Sequence, residues 1–245
     1  ALRLKDAIVD RFRKQGIDRP NVAREQPDVR IHLHINGTQV NLSLDSSGEP
    51  LFKRGYRREM HFAPINECLA AGLILKTGWR GEVDLLDPMT GTATIAIEAA
   101  MIACNIPANF SRTFFAFENW EDYDQALLSK VLRDAQGQFR PLKCAIYARE
   151  IQSNNIRAAR VNINAANMRK SIILEQEDFF KAAKPSDTGI IIMNPPYGER
   201  LEVQEGLPDF FSKIGSTLKH EFTGWPAWII SSDIEPFHNK ALRPN

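Results

Sequence analysis

The sequence predicts a doubly wound α/β fold, and three observations support this prediction. Short apolar segments such as residues 83–86 and 189–193 alternate with stretches of helix length. These segments are mostly apolar, which is typical of parallel strands that helices cover on both faces. The chain has 245 residues, of which 43% are hydrophobic, so it is long enough to bury a core without disulfides or a structural metal.

The first fifty residues are predicted to form a small α+β piece. Apolar residues at helical spacing within residues 1–15 predict a short amphipathic helix. Two runs of alternating apolar residues, 31–35 and 40–44, flank an Asn-Gly pair and predict a β-hairpin with a type I′ turn. A turn-rich stretch at 45–50 follows. We expect a domain boundary there, with residues 1–50 before it and residues 51–245 after it.

From residue 64 onward the pattern predicts helices and strands in alternation. Pro64 suits the first position of a helix that ends near Gly78. The predicted strands are residues 83–86, 144–147, 172–174, 189–193 and 227–231, and the predicted helices between them are residues 92–105, 123–136, 151–166 and 208–220.

Composition excludes several classes of protein. No segment approaches the roughly 20 apolar residues of a membrane span, and the first residues lack the apolar core of a signal peptide. The three cysteines are far apart, which indicates neither a disulfide framework nor a zinc site. His32 and His34 have no third ligand nearby, so we expect no metal. We therefore expect a cytoplasmic protein without membrane association or an obligate protein partner.

Polar side chains follow the predicted strands, where ligands of an open α/β sheet bind. The first strand is followed by Asp87 and a small-residue turn, which lets the backbone approach a ligand before a helix begins. Glu150 follows the second strand, where a carboxylate can accept hydrogen bonds from ribose hydroxyls. Asp178 follows the third, where a carboxylate can bind the amine of an adenine. Together these acids predict a nucleoside site.

The fourth strand ends in Asn194-Pro195-Pro196-Tyr197. Two prolines fix an extended turn, which would hold the Asn194 amide oxygen and the Pro195 carbonyl as converging acceptors. Such a pair suits a planar –NH2 group, and Tyr197 can stack on the ring that carries it. We therefore take Asn194, Pro195 and Tyr197 as the candidate catalytic residues.

Five motifs in the chain resemble the S-adenosylmethionine-dependent amino methyltransferases, and among them the THUMP-linked RlmL type. They lie, in family order, at residues 51–57, 63–71, 86–91, 97–100 and 194–201. The resemblance implies a Rossmann-like class I S-adenosylmethionine-dependent methyltransferase domain, preceded by a partial THUMP-like RNA-binding piece. It also implies methyl transfer to the exocyclic N2 amine of a guanine in 23S ribosomal RNA. We expect the chain to be part of a longer protein that continues into further strands.

Carried over position by position, the resemblance assigns the cofactor-binding residues. They are Glu67, Asp87, Met89, Gly91, Thr94, Glu150, Asp178, Phe179 and Asn194. Four basic residues after the boundary are candidate contacts to RNA phosphates: Lys53, Arg54, Arg57 and Arg58. The chain departs from the family at Ala93, where a second glycine is usual, and at Glu150, where Asp is usual. We expect weaker or shifted cofactor binding, with the Ala93 methyl group directed toward the cofactor.

Three other functions remain open from the residues alone. A DNA adenine-N6 methyltransferase would use the same Asn-Pro-Pro-Tyr motif, although too little chain follows it to form a DNA-recognition domain. A protein glutamine methyltransferase would not explain the THUMP-like piece. A non-catalytic RNA-binding relative would explain that piece and the departure at Ala93.

Overall fold

The computed structural model describes residues 2–23, 27–60, 64–196 and 207–231. By its contacts the chain divides into two units. The smaller unit comprises residues 1–50 and 113–129, and the larger unit comprises residues 51–112 and 130–245. Residues 113–129 thus group with the leading piece, whereas the sequence placed them in the second domain.

The smaller unit contains the predicted helix and hairpin. Helix α1 spans Leu2–Lys14, and strands β1 (Ile31–Asn36) and β2 (Gln39–Leu44) pair antiparallel. The two loop residues are Gly37, with a φ of 59°, and Thr38, with a negative φ. A type I′ turn needs a positive φ at both positions, so that prediction is wrong. The β-branched Thr disfavours the left-handed region, and the observed signs fit a type II′ turn.

The remaining elements alternate as predicted. In chain order they are α2 (Glu67–Lys76), β3 (Asp84–Asp87), α3 (Thr94–Ala103), a 3₁₀ turn (Ala116–Asn119), α4 (Gln125–Gln136), β4 (Ile146–Glu150), α5 (Ser153–Ala165), β5 (Ile172–Gln176), a second 3₁₀ turn (Phe179–Lys181), β6 (Gly189–Met193), α6 (Leu207–Glu221) and β7 (Ala227–Ile229).

The start of α2 differs from the prediction. Pro64 precedes the helix, which begins at Glu67 because Asn66 caps it. The Asn66 Oδ1 accepts hydrogen bonds from the backbone N–H groups of Cys68 at 2.9 Å and Leu69 at 3.2 Å. Asn at this position satisfies two N–H groups that a helix leaves without partners.

Strands β3 to β7 form a parallel sheet in the order β5-β4-β3-β6-β7. From β3 the chain proceeds outward through β4 to β5, and then returns to the other side of β3 for β6 and β7. The connections after β3 and β6 therefore lead in opposite directions. Their carboxyl ends form a topological switch point, the usual ligand crevice of such sheets.

Both faces of the sheet are buried, as the continuous apolar strands predict. Leu85 and Ile192 pack in a core with α2, α3 and α5, whereas their neighbours Leu86 and Ile191 pack in a second core with α6. Successive strand residues point to opposite faces, so the two cores lie on opposite sides of the sheet. In the part of the chain that the structure describes, no helix has the length and apolar character needed to cross a membrane.

Candidate functional site

The segment after β6 presents a buried amide oxygen at the switch point. The strand ends at Met193, whose carbonyl accepts a 3.0 Å hydrogen bond from the Ile230 N–H. Asn194 follows, and its Oδ1 is buried yet accepts no hydrogen bond from any described residue. Pro195 is also buried, and it and the next proline fix the backbone. A buried acceptor without a partner costs about 1–3 kcal/mol, so a ligand donor would relieve it. Tyr197 lies outside the described residues.

Asp87 ends β3 beside this segment. It is 1% exposed, and its Oδ2 accepts a 2.6 Å hydrogen bond from the Thr90 hydroxyl. Its Oδ1 has no hydrogen-bond partner among the described residues. Burial, helped by the nearby charge of Glu150, raises the pKa of Asp87 to about 7, although the Thr90 bond lowers it. The site therefore contains a carboxylate that a cationic ligand group would stabilise.

Residues 88–93, here called the β3 turn, are held against the end of β4. The Thr90 N–H donates to the Arg149 carbonyl at 2.9 Å, and the Gly91 N–H donates to Glu150 Oε2 at 3.0 Å. Glu150 Oε1 accepts from the Gln152 N–H at 3.0 Å. Each of these carboxylate oxygens keeps a further lone pair. Glu150 thus joins two strand ends and can still accept a ligand hydroxyl.

Ala93 ends the β3 turn in the left-handed region, with a φ of 69°. It is fully buried and belongs to the first core. Its methyl group therefore packs against protein, which does not support the expectation that it faces the cofactor. The departure from glycine costs backbone strain, about 1–2 kcal/mol for a non-glycine residue, and does not fill the crevice.

Asp178 and Phe179, which follow β5, differ in accessibility. Asp178 is partly exposed, and its Oδ1 accepts a 3.0 Å hydrogen bond from the Phe180 N–H. Phe179 is 3% exposed and stacks on Phe222, which directly follows α6, with ring centroids 5.5 Å apart. Phe179 thus belongs to the second core. Met89 of the β3 turn also packs against that core.

Thr94 and Glu67 are linked through Arg57. The Arg57 Nη2 donates to Thr94 Oγ1 at 3.0 Å and to the Ile65 carbonyl at 2.6 Å, and its Nε lies 3.4 Å from Glu67 Oε1. Glu67 is buried, and its Oε2 has no hydrogen-bond partner in the described chain. This ion pair therefore lies at the amino terminus of α3, beside the β3 turn.

The predicted basic cluster divides into two pairs. Lys53 and Arg58 are exposed. Arg54 is 8% exposed; its Nε lies 3.4 Å from Glu98 Oε1, which also accepts from the Tyr56 hydroxyl at 2.9 Å. Arg54, like Arg57, therefore points inward. The structure does not support these two as phosphate contacts, because their guanidinium groups are paired within the protein. We call residues 54–59 the inner strap.

Two buried polar residues near the site were missed in the sequence. Arg149 is 6% exposed, and its Nε lies 2.8 Å from carboxylate oxygens of both Glu175 and Glu177. Asn162 of α5 is 1% exposed and binds the inner strap. A signal was present for Asn162, since it follows Ala158 by four residues and so falls on the apolar face of the helix.

These residues fit a nucleoside cofactor with a charged amino-acid end. Asp87 and Glu67 offer unpartnered buried carboxylate oxygens, and Gly91 has open space where a side chain would project. Among the described residues no group of His, Cys, Asp and Glu side chains could hold a metal ion. A parallel sheet with this strand order is a Rossmann-like doubly wound sheet, and its polar strand ends are those expected of the class I methyltransferase fold.

The family follows from comparison with known sequences. Residues 54–242 match the RMKL-like methyltransferase-domain family, and residues 1–45 match the THUMP domain. The chain therefore belongs to the RMKL-like methyltransferase-domain family. It is 37% identical over 241 residues to the ribosomal RNA large subunit methyltransferase K/L of Vibrio campbellii, covering 96% of this chain and 34% of that protein. The chain thus spans about a third of the length of the curated relatives it matches.

Solved structures agree on the fold. The candidate methyltransferase SMU.472, complexed with SAH, superimposes with a TM-score of 0.83 at 29% identity, over 96% of this chain and 61% of that one. A predicted N6-adenine-specific DNA methylase from Listeria monocytogenes gives the same TM-score, identity and coverage. The class I methyltransferase fold predicted from the sequence is thereby confirmed.

Proposed function

We propose that this chain is the part of an S-adenosylmethionine-dependent methyltransferase that transfers a methyl group to the N2 amine of a guanine in 23S ribosomal RNA. The observation that carries the proposal is the buried, unpartnered Asn194 Oδ1 at the end of β6, the strand that pairs with β3. The THUMP match and the name of the Vibrio campbellii relative support RNA as the acceptor. A cytoplasmic location follows from this substrate.

The cofactor would lie across the carboxyl ends of β3, β4 and β5. Asp87 and Glu67 carry the free carboxylate oxygens for its ammonium group, and Gly91 and Thr94 shape the wall beside it. When bound, S-adenosylmethionine supplies an activated methyl group on a sulfonium. The remaining cofactor contacts are assigned to Met89, Glu150, Asp178 and Phe179, of which Phe179 acts from the core by supporting the adenine surface.

The target amine would be held by the segment after β6. The Asn194 Oδ1 and the Pro195 carbonyl accept one N–H each, which leaves the nitrogen lone pair free to point at the methyl donor. Fixed placement of two reacting groups is worth roughly 7–11 kcal/mol. The prolines supply that rigidity with little loss of conformational entropy on folding, because their rings already restrict the backbone of the unfolded chain.

The exposed basic residues and the THUMP-like piece would both bind the RNA substrate. We propose residues 1–50 as the C-terminal part of a THUMP-like RNA-binding domain and residues 51–245 as the methyltransferase domain. Lys53 and Arg58 remain candidate phosphate contacts, and Tyr197 would stack on the extruded guanine. Extrusion of a paired base costs a few kcal/mol, which stacking offsets in part.

The test offers the chain three acceptors with methyl-labelled S-adenosylmethionine: unmodified 23S ribosomal RNA, double-stranded DNA and a glutamine-bearing protein. We expect labelled N2-methylguanosine in the RNA, identified by nucleoside mass spectrometry. Labelled N6-methyladenine in the DNA would instead favour the activity named for the Listeria monocytogenes protein. Binding of S-adenosylhomocysteine without transfer to any acceptor would favour a non-catalytic relative.

A further inference from the structure

Asn162 is a buried amide whose side chain is fully hydrogen-bonded. It lies in α5 next to Ile163, and both are buried. Its Oδ1 accepts from the N–H groups of Arg58 at 2.8 Å and Glu59 at 3.0 Å. Its Nδ2 donates to the carbonyls of Glu59 at 3.0 Å and Thr92 at 3.2 Å. All the hydrogen-bonding groups of this side chain thus have partners, as expected for a buried amide in a stable fold.

These bonds join the inner strap to the β3 turn. Thr92 directly precedes Ala93, whose left-handed backbone is unfavourable for a residue with a side chain. The strap also reaches the start of α3, because Arg57 Nη2 donates to Thr94 Oγ1. The strained residue is therefore bracketed by two contacts, one to Thr92 from Asn162 and one to Thr94 from the strap that Asn162 holds.

We propose that Asn162 is a positioning residue for the β3 turn. By fixing the Thr92 carbonyl and the inner strap, it holds the turn in the conformation that receives the amino-acid part of the cofactor. The inference rests on the proposed function, in which Asp87, Glu67 and the wall at Gly91 receive the amino-acid part of the cofactor. Glu150 and Asp178 are expected from the sequence to bind its adenosine part. Loss of Asn162 therefore weakens binding of the amino-acid part and spares the adenosine part.

Two ligands separate these parts. S-adenosylhomocysteine carries both, whereas 5′-methylthioadenosine has the adenosine and the thioether but no amino-acid group. In Asn162→Asp the two donated hydrogen bonds are lost, while Oδ1 can still accept from the N–H groups of Arg58 and Glu59. By calorimetry, we expect its Kd for S-adenosylhomocysteine to rise about tenfold, the size expected for loss of the one hydrogen bond that reaches the β3 turn at Thr92. Its Kd for 5′-methylthioadenosine should change less than about twofold.

A control variant and a second substitution of Asn162 test whether the effect is specific. Asn164→Asp makes the same change at an exposed position of the same helix and should leave both Kd values unchanged. Asn162→Ala buries no charge and should repeat the selective loss, so the test stands if Asn162→Asp fails to fold. In the unliganded Asn162 variants, hydrogen exchange at the amides of Gly91 and Ala93 should be faster than in the unaltered chain.

The outcomes distinguish this inference from the function on which it rests. Equal loss of affinity for both ligands, or no loss for either, would overturn the positioning role while leaving the proposed function intact. An unaltered chain that bound neither ligand would refute the proposed function, and the positioning role with it.

Discussion

The two segments that meet at the switch point are stabilised in different ways. The β3 turn is held by hydrogen bonds to groups distant in the sequence, including the Arg149 carbonyl, the Glu150 carboxylate and the Asn162 amide. Residues 194–196 contain two consecutive prolines, and the Asn194 Oδ1 accepts from no described residue. One segment is fixed by tertiary contacts and the other by the covalent stiffness of its own sequence.

This difference separates the roles that we propose for the two segments. A turn held by many distant bonds can present backbone groups and a carboxylate to a cofactor, but it is sensitive to changes elsewhere in the fold. A proline-fixed segment keeps an acceptor unpaired until a substrate arrives, since no neighbour needs to move. Cofactor affinity and methyl transfer should therefore respond to different substitutions.

The largest expected effect tests that separation directly. Asn194→Ala removes the acceptor from the segment after β6 and leaves the β3 turn unchanged. We expect methyl transfer to fall by about 100-fold or more, the loss typical of removing one preorganised polar group, while the Kd for S-adenosylhomocysteine changes only a few-fold. Single-turnover labelling of RNA and calorimetry measure the two quantities.

Asn164→Ala is the matched control, since it removes an exposed amide; it should change neither quantity. An Asn194→Ala variant that kept its transfer rate would remove Asn194 from the mechanism. A variant that lost cofactor affinity to the same extent as transfer would mean that the two segments do not act separately.

The second prediction concerns pH, because the β3 turn adjoins a titrating carboxyl. Asp87 has an ordinary pKa of 3.8, which burial raises to about 7 in the folded chain. Between these values the folded state binds more protons than the unfolded state. The free energy of unfolding should therefore fall as pH rises from about 4 to about 7, by about 1.4 kcal/mol per pH unit from this group.

Urea unfolding at several pH values measures this slope. Asp87→Asn removes the titrating group, so the difference between the two proteins isolates its contribution from that of other acids. The free energy of unfolding of the variant should rise relative to that of the unaltered chain as pH rises from 4 to 7. This difference should become constant above about pH 8. A constant difference across this range would mean that Asp87 titrates normally in the folded chain.

A smaller effect is expected from the hydroxyl that supports Asp87. Thr90→Val keeps the shape of the side chain but removes the donor to Oδ2. A buried carboxylate that loses its partner costs about 1–3 kcal/mol, so stability at pH 8 should fall by that amount, and less at pH 5, where Asp87 is protonated. Thr188→Val, at an exposed position, is the control; an equal loss in both variants would contradict the role of Thr90.

The same contrast explains which features were predictable. The alternation of strands and helices and the position of Asn194 follow from local patterns, since each apolar strand ends in polar residues that a parallel sheet brings to one edge. The order of the strands in the sheet was not predicted, because it depends on contacts between distant segments. Asn162 binds Arg58, 104 residues away in the chain, and no linear motif encodes that pair. For the same reason Arg54 and Arg57 were predicted as surface contacts, although buried carboxylates turn them inward.

The smallest effect isolates the strain in the β3 turn. Ala93→Gly removes a methyl group from a buried residue with a φ of 69°. Since glycine adopts this conformation freely, relief of strain should outweigh the lost packing and the added chain entropy, raising stability by up to about 1 kcal/mol. Ala99→Gly is the same substitution inside α3, where Ala99 is also fully buried, and it should lower stability by at least about 0.5–1 kcal/mol. Thermal unfolding gives both signs, and a loss at Ala93 as large as that at Ala99 would show that the departure from glycine carries no strain.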